Sequence, residues 1–150
     1  MRTILLAAVL AIGAGAGCSK STDNNKKAET TETAKAEAPA KAEVPTVTVD
    51  EVDQKLASGD VVPVDANGTE TRKKMGVVPG AVLLTDSETF NVSELPSDKS
   101  KELVFYCANT RCGASHQAAE KALTAGYTNV KVMPEGIAGW VKAGKKVQTI

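Results

Sequence analysis

Apolar residues in the second half of the chain fall into four short runs of strand length, with polar stretches between them. The runs are Val61–Asp65, Ala81–Leu84, Leu103–Tyr106 and Val130–Met133. Short, nearly continuous apolar strands that alternate with helices are typical of parallel sheets buried on both faces. The pattern therefore predicts one α/β domain over residues 46–150, with a central parallel sheet and helices on both faces.

Two helices are predicted beside these strands. Before the first run, Thr48 and Glu51 have the spacing of a capping box, and the residues that follow place apolar side chains on one helical face. Between the third and fourth runs, the stretch 114–125 is rich in helix-forming residues and is closed by Gly126. This alternation is what a covered parallel sheet requires.

The first residues of the chain have the order of an export signal. A basic residue is followed by the apolar run Ile4–Ile12 and by small residues that end at Cys18. The apolar run is too short to cross a bilayer, which takes about 20 helical residues. The order resembles a bacterial lipoprotein signal, which implies a signal peptide over residues 1–17 and lipidation of Cys18. With Ser19 next, it also implies a periplasmic protein anchored to the outer membrane; an ordinary secreted protein is the alternative.

Residues 18–45 have the composition of a tether. They are rich in Ala, Lys, Glu and Thr, and the five aromatic residues of the chain all follow residue 89. Such a segment cannot bury enough apolar surface to offset the entropy of ordering it. We therefore predict a disordered spacer between the membrane anchor and the folded domain.

The charge balance and the cysteine count exclude several classes of protein. The chain has 18 basic and 18 acidic residues, so nucleic acid, which is bound through a surplus of Lys and Arg, is not an expected partner. Three cysteines are too few for a disulfide-built scaffold of this length. With one His, the chain offers no cluster with metal-ligand spacing, so we expect neither a metal nor another cofactor.

Cys107 is the residue best placed for chemistry. It follows the third predicted strand and precedes a helix, which is where ligands bind in open α/β sheets. A helix N-terminus and the amides of a curled loop lower the pKa of a thiol, and Arg111 on the same loop is expected to act in the same direction. We therefore predict that Cys107 is a catalytic nucleophile with a lowered pKa. A small buried hydrophobic residue at a strand end is the alternative.

Several segments, in the right order over most of residues 47–150, resemble the rhodanese-like (sulfurtransferase) family. They are Thr48–Leu56, Val61–Asp65, Gly76–Ala81, Val104–Cys107, Ala125–Val130 and Glu135–Trp140. The resemblance implies a single rhodanese-like domain in which Cys107 takes a sulfane sulfur from a donor such as thiosulfate and holds it as a persulfide. The sulfur then passes to a thiol or a cyanide-like acceptor. The expected anion cradle consists of the loop amides of Ala108, Asn109, Thr110, Arg111, Cys112 and Gly113.

The chain departs from the family pattern in the segment after the first strand, at Val77, where His is usual, and in the loop after Cys107. Where the family often has Asp-Val-Arg, this chain has Asp65-Ala66-Asn67, so an ordering arginine is missing. Cys112 stands where an arginine is frequent in the loop. Related phosphatases of this fold place an arginine where this chain has Gly113, so phosphatase activity is not expected.

Cys112 supports a rival interpretation. Two cysteines five residues apart in an exported protein can form a disulfide, or Cys112 can resolve a persulfide or sulfenic acid on Cys107. The protein is then a periplasmic thiol redox protein that uses Cys107 and Cys112. The alternative for Cys112 is an independent thiol on a small residue packed behind the loop. A rhodanese-like binding module without turnover is the third hypothesis.

The remaining conspicuous residues are interpreted structurally. Asp65, at the end of a strand, is expected to order neighbouring loops. Helical spacing predicts that Trp140 packs with Ile137 and Val141. The basic run 72–74 is expected to be a solvated surface.

Overall fold

The structure is a computed structural model, and it describes residues 43–150. The elements are α1 (Val49–Ser58), β1 (Val61–Asp65), α2 (Thr69–Met75), β2 (Val82–Leu83), a short 3₁₀ helix (Val92–Glu94), β3 (Glu102–Tyr106), α3 (Ala114–Thr124), β4 (Val130–Met133) and α4 (Gly136–Lys142). The predicted export signal, the lipidation site Cys18 and most of the predicted tether lie outside the described residues. Within residues 43–150, no helix is long and apolar enough to cross a membrane.

The four strands form one parallel sheet in the order β2-β1-β3-β4, which confirms the predicted fold class. β1 and β4 have the predicted bounds, and β3 begins one residue earlier than predicted. β2 is shorter than predicted because the amide of Ala81 is held by the carbonyl of Val78 in the preceding turn. Beyond the strand, the amide of Leu84 still bonds the carbonyl of Asp65.

Helices cover both faces of the sheet, and the alternation of side chains along β3 shows how. Leu103 and Phe105 belong to a core cluster that includes residues of α3, whereas Val104 and Tyr106 belong to a second cluster formed with α1 and α4. Successive side chains of a strand point to opposite faces of a sheet. Cys107, the next residue, therefore continues on the α3 side, where it is part of the first cluster.

The folded region begins earlier than the sequence predicts. Val44, placed in the tether by composition, is buried in the core. The amide of Val132 in β4 bonds the carbonyl of Pro45, and Val47 bonds back to Val132. The chain before α1 thus covers the edge of the sheet at β4. The tether prediction is wrong for these last residues. They are ordered because they hydrogen-bond the edge strand β4 and because Val44 is buried in the core.

Arg72 corrects the interpretation of the basic run. Its side chain is buried, with Nε 3.2 Å from Oδ1 of Asp65 and Nη2 donating to the carbonyl oxygens of Asp65 (2.9 Å) and Leu84 (2.8 Å). Lys73 and Lys74 are exposed, as predicted. A guanidinium can satisfy several acceptors at once, so Arg72 joins the ends of β1 and β2. It therefore orders the region where the family pattern has an arginine two residues after the aspartate.

The last helix confirms one contact of Trp140 and corrects another. Ile137 and Trp140 are buried in the same cluster, and the indole nitrogen of Trp140 donates to the carbonyl of Lys146 at 2.7 Å. Val141 is 45% exposed and does not belong to that cluster, so the prediction that it packs in the core with Trp140 is wrong. Neighbouring helical residues do not share a face, and the buried stripe follows the spacing of Ile137 and Trp140 instead.

Candidate functional site

The active-site candidate is the loop that joins β3 to α3. β3 ends at Tyr106, and the loop curls through a turn at Asn109 before α3 begins at Ala114. The carbonyl of Asn109 accepts the amide of Cys112 at 3.0 Å, and its side-chain oxygen accepts the amide of Arg111 at 3.0 Å. Two of the amides that we predicted in the anion cradle are therefore used within the loop itself.

The start of α4 holds the beginning of this loop in place. The amide of Ile137 donates to the carbonyl of Cys107 at 2.9 Å, and the amide of Ala138 donates to the carbonyl of Ala108 at 3.0 Å. The first amides of a helix have no partner within the helix, so these two bonds satisfy groups that would otherwise be unpaired. The segment Glu135–Trp140 thus positions the main chain of Cys107 and Ala108.

The side chain of Cys107 is almost completely enclosed, with 2% of the residue exposed. Its sulfur lies 3.3 Å from the hydroxyl oxygen of Ser115, and its thiol donates to the carbonyl oxygen of Cys112 at 3.1 Å. The amide of Ser115, in the first turn of α3, also bonds to the sulfur. The N-terminus of α3 therefore reaches Cys107 through one residue, Ser115.

Sequence reasoning missed Ser115, although a signal for it exists. The buried residues of α3 are Ser115, Ala118, Ala119 and Ala122, which follow one helical stripe. Ser115 is the polar member of that stripe and lies directly after the loop. A buried hydroxyl needs a hydrogen-bond partner, and here the partner is the sulfur of Cys107.

The pKa of Cys107 is raised, which corrects our prediction that the loop lowers it. Burial of the thiol is the main cause, and its hydrogen bond with the Cys112 side chain acts in the same direction. The hydroxyl and the amide of Ser115 lower the pKa, as expected for a helix N-terminus, but they do not outweigh burial. The thiol form of Cys107 is therefore favoured in this conformation.

Cys112 is the more acidic member of the pair. Burial opposes its charged form, but hydrogen bonds from the Cys107 thiol and from the amides of Ala108 and Ala114 outweigh burial and lower the pKa. Both cysteines are unpaired thiols, and Cys112 is only partly buried. The amides that act on the Cys112 sulfur are thus those of Ala108, in the loop, and Ala114, the first residue of α3.

The other predicted loop residues lie at the rim of the site. Thr110 and Arg111 are exposed, and Asn109 is partly buried at the turn. The Arg111 side chain therefore faces solvent. Among residues 43–150, no group of His, Cys, Asp and Glu could hold a metal ion. A cavity of about 520 Å³ lies between α1 and the end of α4, and it does not include Cys107.

Asp65 has the ordering role predicted for it. Its Oδ1 accepts the amide of Asn67 at 2.7 Å in addition to the Arg72 guanidinium. The amide of Ala66 bonds the carbonyl of Tyr106, so the end of β1 lies directly beside the end of β3 that leads into Cys107. Buried main chain and one buried ion pair therefore support the end of β3 that leads into Cys107.

Comparison with known proteins gives the site its context. Residues 48–143 match the rhodanese-like domain family. No curated protein matches the chain significantly. Among solved structures, the BH2092 protein from Bacillus halodurans is similar at 22% identity, over 70% of this chain and 77% of that one, with a TM-score of 0.62.

Two further similar structures have informative names. The 3-mercaptopyruvate sulfotransferase SseA from Escherichia coli is 20% identical over 71% of this chain and 51% of its own, with a TM-score of 0.58. The human single-domain sulfurtransferase TSTD1 is 24% identical over 66% of this chain and 96% of its own, with a TM-score of 0.53. These likenesses show the fold, and the family match extends over well more than half of the sequence. The chain therefore belongs to the rhodanese-like domain family.

Proposed function

We propose that this protein is a sulfurtransferase that carries sulfane sulfur as a persulfide on Cys107. The observation that carries the proposal is the setting of the Cys107 sulfur, at the end of a central strand, with the hydroxyl and the amide of Ser115 directed at it. A hydrogen-bond donor at a helix N-terminus stabilises an anionic sulfur, whether thiolate or persulfide. Structures with sulfurtransferase names share the fold.

The chemistry with thiosulfate as donor is balanced without a cofactor. The Cys107 thiol loses its proton, and the thiolate attacks the outer sulfur of thiosulfate. The sulfur–sulfur bond of the donor breaks, and sulfite leaves with the bonding electron pair. Cys107 then holds the outer sulfur as a persulfide, which a thiol or cyanide-like acceptor removes by attack on that sulfur. The raised pKa of Cys107 makes loss of the proton the step that depends on pH.

Sulfite release tests the proposal. The full chain carrying Cys18→Ser, in which Cys107 and Cys112 are the two cysteines, is reduced, freed of reductant and mixed with thiosulfate. We expect stoichiometric sulfite, and, from the same chain with Cys112→Ser, thiocyanate when cyanide is then added as the acceptor. The same chain with Cys107→Ser should release none. Sulfite release that survives Cys107→Ser, or no release from the parent chain, would contradict the proposal.

The cellular location forms a separate proposal. The basic, apolar and small segments that end at Cys18 support export, lipidation and attachment to the outer membrane. The protein then binds the membrane through the lipid attached to Cys18. In fractionated cells, the unaltered chain should sediment with membranes, and Cys18→Ser should move it to the soluble fraction. An unchanged distribution of the variant would contradict lipidation at Cys18.

A further inference from the structure

We propose that Cys112 is a resolving residue, whose thiolate attacks the Cys107 persulfide and releases the transferred sulfur as hydrosulfide. The step rests on the proposed function, since it acts on the persulfide that Cys107 forms. The reaction then releases sulfide as a second product. It also leaves the protein in a second state, in which a disulfide joins Cys107 and Cys112.

The geometry of the loop brings the two residues together. The turn at Asn109 folds the chain back, so that the Cys107 sulfur lies 3.1 Å from the carbonyl oxygen of Cys112. The two side chains also influence each other, since the Cys112 side chain raises the pKa of Cys107 and the Cys107 side chain lowers that of Cys112. Cys107 and Cys112 are the free cysteines among residues 43–150, so Cys112 is the thiol that this loop offers to a persulfide on Cys107.

The same loop prepares Cys112 for attack. The amides of Ala108 and Ala114 donate hydrogen bonds to its sulfur, and these bonds favour the thiolate. Cys107 is buried, whereas Cys112 is partly exposed. The proton is therefore favoured on Cys107 and the negative charge on Cys112. A stable thiolate beside a persulfide is the arrangement that thiol–disulfide exchange requires.

The step balances in atoms and electrons. The Cys112 thiolate forms a bond to the Cys107 sulfur, and the bond from that sulfur to the outer sulfur breaks. The persulfide takes up one proton from solvent on its outer sulfur, and that sulfur leaves with the electron pair as hydrosulfide. The sulfane sulfur is thereby reduced to sulfide, and the two cysteines are oxidised to a disulfide. An external dithiol reductant then restores both thiols for the next cycle.

Sulfide and sulfite are measured together, so that each step has its own product. The full chain with Cys18→Ser is compared with the same chain carrying Cys112→Ser, Cys112→Ala or Cys107→Ser. Each protein is reduced, freed of reductant and mixed with thiosulfate for a single turnover. Thermal melting and circular dichroism confirm that each variant is folded. Non-reducing digestion locates any disulfide.

We expect the parent chain to release sulfite and then sulfide, and to finish with Cys107 joined to Cys112. Both Cys112 variants should form sulfite but retain the sulfur on Cys107, with sulfide release reduced on the order of tenfold or more, because no internal thiolate remains to attack. Agreement of the serine and alanine variants assigns the effect to the thiol rather than to a polar group at this position.

The outcomes separate this step from the proposed function. Sulfite without sulfide from the parent chain, with a stable persulfide on Cys107, would overturn the resolving role and leave the sulfurtransferase proposal standing. Equal sulfide release from parent and Cys112 variants would also overturn it. If no protein in the series yields sulfite or a persulfide, both proposals fail.

Discussion

The backbone of Gly136 lies directly against the carbonyl group of Cys107. A β-carbon at Gly136 would be 2.4 Å from that oxygen and 2.8 Å from the carbonyl carbon of Ala108. Gly136 also has a φ of 61°, a conformation that favours glycine. The first turn of α4 can therefore approach the active loop closely enough to hydrogen-bond it only because this residue has no side chain.

We expect Gly136→Ala to destabilise the fold by about 2–4 kcal/mol, from backbone strain and overpacking together, and to impair loading of Cys107. Gly144→Ala is the matched control, since Gly144 also has a positive φ (70°) but no atom within 4 Å of its would-be β-carbon. Melting curves and sulfite release are compared for both variants. Equal effects on sulfite release would show that the contact with Cys107 has no role in positioning the loop.

Ser115→Ala should slow the formation of the Cys107 persulfide. The hydroxyl of Ser115 stabilises the charged form of Cys107, and a hydrogen bond to a charged group contributes about 1.5–3 kcal/mol, which corresponds to roughly tenfold or more in rate. Gln117→Ala, at an exposed position of the same helix, is the control. The measurement is the initial rate of sulfite release. A rate for Ser115→Ala equal to that of the control would contradict the role assigned to the hydroxyl.

Arg72→Met should be strongly destabilising. The variant leaves the fully buried Asp65 carboxylate without its ion-pair partner, and breaking a buried pair in this way costs about 3–5 kcal/mol. Lys74→Met, two residues away and exposed, should change stability by no more than about 0.5 kcal/mol. Urea unfolding of both variants decides the matter, and similar midpoints would show that the buried pair does not support the fold.

The two thiols should be alkylated in a fixed order at neutral pH. The pKa of Cys112 is lowered and that of Cys107 is raised, chiefly by burial. Iodoacetamide should therefore modify Cys112 first, and labelling of Cys107 should still increase as the pH passes the ordinary cysteine value of 9.0. The pH profile separates acidity from simple access, since burial alone would slow Cys107 equally at every pH. Peptide mapping that finds Cys107 modified first would contradict this order.

The sign of the Cys107 shift also predicts a change in stability. A group whose pKa is higher in the folded than in the unfolded state contributes stability below its unfolded pKa, and that contribution is lost as the pH rises through its folded pKa. Reduced protein should therefore lose more stability above pH 9 than the Cys107→Ser variant, which has no thiol there to ionise. Equal alkaline losses in urea unfolding would contradict the burial of a neutral thiol.

The parts of the structure that the sequence predicts best are those set by local pattern. The capping box of Thr48 and Glu51, the bounds of β1 and β4, and the position of Cys107 at the end of β3 all follow from short-range periodicity and end signals. Each depends on residues within one turn or one strand.

The parts that the sequence did not predict depend on tertiary contacts. Arg72 looks like one member of a solvated basic run until α2 places it over Asp65. The direction of the Cys107 pKa shift depends on how deeply the thiol is enclosed, which the order of residues along the loop does not specify. The loop sequence also does not specify that the amides of Ala108 and Ala114 act on the sulfur of Cys112. Cys112 is the residue at the position where the family often has an arginine.

The most direct test of the central claim is the mass of the peptide that contains Cys107. The full chain with Cys18→Ser and Cys112→Ser is reduced, incubated with thiosulfate, trapped with an alkylating reagent and digested. We predict that this peptide gains one sulfur atom beyond the alkyl group, that the sulfur is lost on addition of cyanide, and that Cys107→Ser abolishes the gain. A Cys107 peptide without additional sulfur, in a protein shown to be folded, would contradict the assignment of Cys107 as a sulfur carrier.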